Sequence, residues 1–515
     1  MCIRDREAGQ VREEIPMCHL DGGSFVPVVA FVNRELRLTL GGFREEINGR
    51  HPFPFCAVGE CSPVYTPTGW RMKLLQDFLG PSREGTATFS LLPVRGDHLR
   101  FYERFRSLPW FARHRGRHIP EWVRKLRFDI GWSVPLWDGR LGKLREFARR
   151  LGRIADLLDG YVTVTGWGWY YHVGDFFSTG TWLNASREPI DARWMRRKVA
   201  VFKAVHPRIK VGVYIWPWFL DSASQVLAQH PEWALGGGTG GVGIFAPFGM
   251  RCWPSGNWGY ARAMHRKEQR DFFVKQIVDM AGRFGLDFVY FDGGEGGLEV
   301  PDESAHAVSQ SYHWEEVWER IYRQLRDRGT AYHHNFPGGF YGDLGYWEGS
   351  FRGIYKRNWR ELADRFLIAK FLAPDDMPLM VVGDKQSYYM RRLAPGGRAS
   401  SEREMEEARR ECRVLFKYWL TFGFVPSGLS GEQPQEYVGA LPYMKMACEL
   451  TLRKLVDAVV KPRWWLDGGE IECYSTLLPQ GTVVVPMLNH GGREESAEVV
   501  LDTKALNLKE EEAVY

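Results

Sequence analysis

The sequence contains no run approaching the roughly 18 consecutive apolar residues that a membrane-crossing helix requires, so no membrane span is expected. It lacks an excess of either charge. Sixty-eight Lys and Arg face 63 Asp and Glu, for a net +5 over 515 residues. The densest positive stretch, Arg113, Arg115, Arg117 and His118 followed by Arg124, Lys125 and Arg127, reads as a solvated linker, and no nucleic-acid footprint is indicated. Cysteine is sparse, with eight residues. Cys56 and Cys61 are close enough in sequence to pair, but Cys18, Cys252, Cys412, Cys448 and Cys473 show no regular spacing. That leaves neither a disulfide framework nor a CxxC metal pattern. No GxGxxG follows any strand-like run, which removes the dinucleotide fingerprint. There is no internal repeat and no low-complexity segment. With 44% hydrophobic and 25% charged residues, global disorder is excluded too.

What the sequence has in abundance is aromatic side chains: 14% of residues, 21 of them Trp. Sugar rings present apolar faces and polar edges, which Trp and Tyr match. A large β-rich core would consume Trp equally well.

Met1–Arg6 reads Met-Cys-Ile-Arg-Asp-Arg, which is what a common sequencing-library transposon end encodes in frame. It is expected to be a cloning or assembly scar that packs against nothing, with the native N-terminus lying beyond it. Residues 7–120 alternate short strands with Gly and Pro: Ser24–Val32, Leu36–Leu40 and Thr86–Leu92 are the clearest. They are expected to form a partial N-terminal β domain. From residue 121 strands alternate with amphipathic helices. Strands are expected at Leu126–Val134, Tyr161–Trp167, Ile209–Trp216, Asp287–Asp292, Thr330–Asn335, within Leu344–Gly353, at Pro378–Gly383 and at Phe424–Ser427. Helices are expected at Leu141–Leu158, Asp191–His206, Arg266–Phe284, Trp314–Arg328 and Trp359–Phe371, with another opened by the capping box of Ser401 and Glu404. A closing helix at Tyr443–Val459 ends the region. Eight strands with helices between most of them predict a (β/α)8 TIM barrel over residues 121–459, with a doubly wound sheet as the alternative. Residues 460–515 return to short strands at Glu470–Ser475, Thr482–Pro486 and Ala497–Leu501, a partial C-terminal β domain.

Barrel enzymes place catalytic groups at the C-terminal ends of strands. The fourth strand ends Val289-Tyr290-Phe291-Asp292-Gly293-Gly294-Glu295. An Asp at the end of a buried strand, with glycines behind it that let a ligand approach the backbone, is poorly explained as core; the plain alternative is a turn Asp capping the next helix. Glycoside hydrolysis needs a second carboxylate. Glu348, between Trp347 and Gly349 near the sixth strand end, is the candidate, since an apolar neighbour raises a carboxyl pKa as a general acid requires. Asp343 is its nearest rival. Asp384 and Asp129 are candidates for substrate binding at strands seven and one, with Glu295 and Tyr290 beside Asp292. Trp167 and Trp169 after strand two, and Trp216 and Trp218 after strand three, would line a sugar cleft or pack beneath loops. His333 and His334 are adjacent on a strand and point to opposite faces, so they do not share a metal; one of them, His333, is expected to face a substrate hydroxyl. No metal and no cofactor is called for.

These segments resemble a known family. Val211-Gly212-Val213-Tyr214-Ile215-Trp216-Pro217, followed by His230-Pro231-Glu232-Trp233, is similar to the G-L-W-I-x-P … H-P-D-W segment of the α-galactosidase and raffinose-synthase family. A helix leading into a strand that ends in Asp292 resembles that family's K-W-D-M-N-R, whose Asp is the nucleophile. Asp292-x-x-Glu295 resembles the D-M-N-E of the related α-glucosidases. Gly338-Gly339-Phe340-Tyr341-Gly342-Asp343-Leu344-Gly345, then Trp347-Glu348-Gly349-Ser350, is loosely similar to G-G-G-R-F-D-L-G … W-T-S-D, whose last Asp is the acid/base. The family's lysine before the nucleophile is Tyr290 here, and its acidic motif after strand three is replaced by Trp218-Phe219-Leu220-Asp221, so the chain looks like a divergent branch. The resemblance implies an exo-acting, retaining glycoside hydrolase of an α-linked oligosaccharide or polysaccharide, with Asp292 as nucleophile and Glu348 as acid/base. The alternatives are a polysaccharide lyase with His333 or Tyr290 as base, and a catalytically inactive carbohydrate-binding protein.

Overall fold

Strands buried on both faces in a parallel sheet read as near-continuous apolar runs, and the runs found above become the inner ring of the fold. In the computed structural model the described residues are 2–5, 11–15, 28–33, 36–47, 59–66, 69–76, 86–96, 98–109, 119–130, 134–135, 141–175, 180–234, 251–252, 254–292, 311–334, 343–347, 379–381, 401–403, 425–426, and short stretches between 454 and 506 (454–456, 459–461, 471–473, 475–477, 483–485, 487–489, 493–494, 496–504 and 506).

Eight strands form the ring: β1 (Leu126–Asp129), β2 (Tyr161–Trp167), β3 (Ile209–Ile215), β4 (Phe288–Phe291), β5 (Ala331–His334), β6 (Leu344–Trp347), β7 (Leu379–Val381) and β8 (Val425–Pro426). They pair in chain order, every neighbour parallel. Cα atoms of β8 come within 8 Å of those of β1, so the sheet curls back on itself as a TIM-barrel-like α/β fold. The helices α1 (Leu141–Leu157), α2 (Ala192–Val205), α3 (Lys267–Phe284) and α4 (Ser311–Asp327) alternate with β1 to β5. Their ends follow local chemistry. Asp191 caps α2 by accepting from the Trp194 N–H at 2.7 Å, and Gly285 ends α3 with φ of 72°, a left-handed conformation that glycine adopts without cost.

Strand parity sorts side chains between the two faces of the ring. Phe291 stacks on Tyr332 at 4.8 Å and meets Trp318 of α4 at 5.2 Å, so it faces the helices. Phe288 and Tyr290 therefore face the interior. The register places Thr165, Gly212 and Phe288 at one level, and Tyr214, Tyr290 and His333 at the next. Gly212 has no side chain because the Phe288 ring occupies that space: a Cβ there would lie 2.3 Å from the ring. Asp129, Thr163 and Lys210 occupy the lowest level, above Trp122 of the short helix Glu121–Arg124, which lies 6.3 Å from Phe288 and under the Lys210 ammonium at 5.9 Å. The interior is thus filled from below, and its open end is where β3 and β4 stop, at Trp216 and Asp292.

Before the ring, Cys2–Asp5, Val11–Ile15, Val28–Asn33, Leu38–Ile47 and Ala87–Arg95 form an antiparallel sheet. Cys2–Asp5 pairs with Arg12–Ile15, contrary to the expectation that residues 1–6 pack against nothing. After the ring there are antiparallel strand pairs, including Lys454–Val456 with Ser475–Leu477 and Val459–Lys461 with Val500–Leu501. These overturn the C-terminal end of the expected closing helix Tyr443–Val459. The β-branched residues Val456 and Val459 find distant strand partners in Ser475 and Leu501, and such non-local pairing overrides a helical pattern. The first strand is shorter than expected, Leu126–Asp129 with a separate Val134–Pro135 that pairs with the end of β2. The helix at Trp359–Phe371 lies outside the described residues, as does the helix opened by Ser401 beyond residue 403.

Candidate active site

Asp292 is the first residue after β4, at the C-terminal mouth of the ring. Its N–H donates to the Ile215 carbonyl oxygen at 2.9 Å, tying it to the end of β3. The Tyr214 hydroxyl donates to Asp292 Oδ2 at 2.6 Å, a short charge-assisted bond that fixes that carboxylate oxygen. Tyr214 was not among the residues singled out from the sequence. The signal was parity: Tyr214 stands two positions before Trp216 and directly across from Tyr290, so it must share their face.

Trp216 follows β3 and Trp167 ends β2; both are half-buried at the mouth, with Trp216 against Phe219 at 4.9 Å. Tyr290 and His333 lie one level lower, fully buried, with their rings 4.6 Å apart. They floor the mouth beneath Asp292. Asp129 is deeper still, buried and accepting from the Thr163 hydroxyl at 2.8 Å. It is a core residue at the closed end, not a sugar ligand.

Three further candidates are placed away from the mouth. The Trp169 indole N–H donates to the Tyr214 carbonyl oxygen at 2.9 Å, and its ring packs on Trp182 and Phe284 between ring and helices. Trp218 is buried against Trp314 (4.8 Å) and Trp318 (5.7 Å). Both Trp residues are packing, because the chain has left the strand and the alternation no longer applies. Asp343 precedes β6 and sits at its N-terminal end, the wrong end for catalysis. Its Oδ2 accepts from the Tyr332 N–H at 2.9 Å and its Oδ1 from the Tyr322 hydroxyl at 3.1 Å, so a fully buried carboxylate is spent on holding β5 to β6. Glu295, Glu348 and Asp384 lie outside the described residues.

The wall beside Asp292 is built by the loops that follow β2 and β3. Tyr170 is fully buried, its hydroxyl at the backbone of Trp216, and burial raises its pKa, with the charge of Asp292 adding to the effect. Asp221 is fully buried and saturated: it accepts from Ala223 N–H (2.8 Å), Asn257 Nδ2 (3.0 Å) and the Ser255 hydroxyl, and His172 Nδ1 lies 3.2 Å away. Burial alone would raise the Asp221 pKa, but His172 and these donors hold it below the usual carboxylate range. The same contact raises the pKa of His172. The His230-Pro231-Glu232-Trp233 motif is structural: His230 stacks on Trp233 at 3.9 Å, and Trp233 packs on Phe272. Among the described residues no group of three or more His, Cys, Asp or Glu could hold a metal ion.

No protein-family model matches the chain, and no curated protein matches it. Solved structures share its fold. One is the GH36 α-galactosidase of Geobacillus stearothermophilus, 13% identical with a TM-score of 0.54, the likeness covering 92% of this chain and 62% of that one. A variant of the same enzyme in complex with raffinose gives 12% and 0.55. A third is an α-N-acetylgalactosaminidase of Bifidobacterium bifidum, 13% identical with a TM-score of 0.56, covering 90% of this chain and 74% of that one. The chain thus spans less than two thirds of the length of the α-galactosidase, and at these identities the likeness is one of fold.

Proposed function

We propose that the protein is a glycoside hydrolase, exo-acting and retaining, on an α-linked glycan. The observation that carries this reading is Asp292 at the C-terminal end of β4, tied by its N–H to the end of β3 and with its Oδ2 held by the Tyr214 hydroxyl. In the first step that carboxylate attacks the anomeric carbon while Glu348, the residue after the last of β6, protonates the leaving oxygen. In the second, Glu348 deprotonates a water that releases the sugar from Asp292. Tyr214 keeps the nucleophile in one rotamer throughout. Support comes from the shared fold with an α-galactosidase seen with raffinose and with an α-N-acetylgalactosaminidase, both of which act on α-linked sugars by name. No cofactor enters this reading.

The test is a panel of nitrophenyl α-glycosides with product configuration followed by NMR. Asp292→Asn should abolish turnover without loss of folding, since the amide keeps the shape but cannot attack. Glu348→Gln should regain activity with azide and good leaving groups. Wild-type activity in Asp292→Asn, or inversion of configuration, refutes the mechanism.

A further inference from the structure

The loop that leaves β2 carries side chains the two-carboxylate reading does not use. Tyr171 and His172 follow Tyr170, and Arg187 reaches them from the tip of the hairpin formed by Thr181–Leu183 and Pro189–Asp191. Arg187 holds φ of 63°, a left-handed conformation unusual for a residue with a side chain. Asn184 enforces the turn: its Oδ1 accepts from the N–H groups of Ser186 and Glu188, each at 2.9 Å, and its Nδ2 donates to the Glu188 carboxylate at 3.1 Å. Arg187 Nε donates to the Tyr171 hydroxyl at 2.9 Å, with the guanidinium 5.1 Å from the ring centre. Arg187 is exposed and among the described residues enters no ion pair. The Tyr171 ring meets His172 edge-on at 4.8 Å. With His172 Nδ1 turned to Asp221, its Nε2 points the opposite way, and the side chain is part-exposed.

The result is a strip of guanidinium, phenol and imidazole on the wall of the mouth, one residue from Tyr170 and its contact with the Trp216 backbone. It offers an aromatic face flanked by the Arg187 guanidinium and the His172 imidazole, with the buried Asp221 carboxylate consumed by its own donors. We propose that this strip is a subsite for an anionic sugar, a residue of the glycan bearing a carboxylate or a sulfate ester, stacked on Tyr171 with its charge between Arg187 and His172. The proposal rests on the reading that a glycan occupies the mouth at Asp292. The groups facing His172 are Asp221, Asp175, Arg187 and Tyr171; the two carboxylates outweigh burial and Arg187, so the imidazole holds its proton to higher pH than usual. Anion binding should therefore be strongest below that titration and weaken as pH rises through it.

The experiment uses the Asp292→Asn protein, which binds without turnover, and matched pairs of probes: α-1,4-trigalacturonate against its methyl ester, and a sulfated galactan tetrasaccharide against its desulfated form. Calorimetry should show one anionic member binding about ten-fold tighter than its neutral twin, the size of one hydrogen bond to a charged group. Which pair shows it separates carboxylate from sulfate. Adding Arg187→Gln or His172→Gln should bring the twins within about three-fold of each other, with unchanged circular dichroism. Equal binding of the twins in both pairs, or a preference that survives both substitutions, overturns the subsite and leaves the hydrolase reading standing. If no oligosaccharide binds and the wild type hydrolyses none, both fall.

Discussion

Gly212 is where the packing of the ring and the geometry of the site meet, and replacing it by Ala tests both. A Cβ at that position would lie 2.3, 2.4 and 2.6 Å from Cε2, Cδ2 and Cζ of Phe288, directly across the β3–β4 pair. Carbons in contact sit about 3.5–4.0 Å apart, so ring or strand must move by more than 1 Å. The ring has little room, with Trp122 at 6.3 Å beneath it and His333 at 5.6 Å beside it. Overpacking of this kind costs about 1–3 kcal/mol, and three short contacts against an aromatic ring place Gly212→Ala at the upper end. The backbone itself is not left-handed there, so the loss comes from space alone. Urea denaturation should show about 3 kcal/mol lost in Gly212→Ala. In Gly212→Ala with Phe288→Leu the loss should be at least 1 kcal/mol less than the sum of the singles, since the cavity of one change holds the methyl of the other. Asp292 lies four residues along β4 from Phe288, so activity should fall in the single variant and recover in the double. A cost below about 0.5 kcal/mol for Gly212→Ala, or strictly additive singles, would refute the packing argument.

Two further outcomes follow from buried carboxylates. Burial raises the pKa of Asp175 from 3.8 to about 6 against the N–H groups of Val226 and Gln225 that it accepts from. A carboxyl raised on folding favours the native state at low pH, and that advantage is lost as pH rises through about 6. Asp175→Asn should therefore gain stability over wild type between pH 5 and 7.5, on the order of 2 kcal/mol by thermal denaturation, and a difference independent of pH would count against it. Asp343→Asn faces a donor toward the Tyr332 N–H or the Tyr322 hydroxyl and should cost about 1–3 kcal/mol of stability while the folded protein keeps its kcat/KM. Loss of kcat with normal stability would return Asp343 to the catalytic candidates.

The parts of the fold legible in the sequence were those fixed by local pattern. Tyr161–Trp167 is a strand with the expected bounds, and Leu141–Leu157 and Lys267–Phe284 each differ from the expected helix by one residue at one end. What failed needed knowledge of where a strand starts or what pairs with it. Asp343 looked catalytic because the sixth strand was located only within Leu344–Gly353. Once the strand begins at Leu344, Asp343 falls at the closed end of the ring. The end of the closing helix failed because its valines pair with strands about 20 to 40 residues further on, a contact that no local pattern records.

The aromatic residues make the same point about function. High Trp content is compatible with a sugar cleft or with packing, and composition alone does not separate them. In the structure Trp169, Trp182, Trp218, Trp314 and Trp318 are buried at 5% exposure or less, so they fill the layer between ring and helices and say nothing of carbohydrate. Among the described residues the aromatics left part-open near Asp292, and so the ones proposed to meet a ligand, are Trp167, Trp216, Tyr171 and, on Asp292 itself, Tyr214. Two of them were missed because Tyr171 and Tyr214 read as ordinary strand or loop tyrosines until their partners are known. A tyrosine hydroxyl becomes chemistry only when it meets a carboxylate or a guanidinium, as these do with Asp292 and Arg187. Those pairings join residues 78 and 16 positions apart in the chain, and it is the ring that brings the first of them together at the end of β3 and β4.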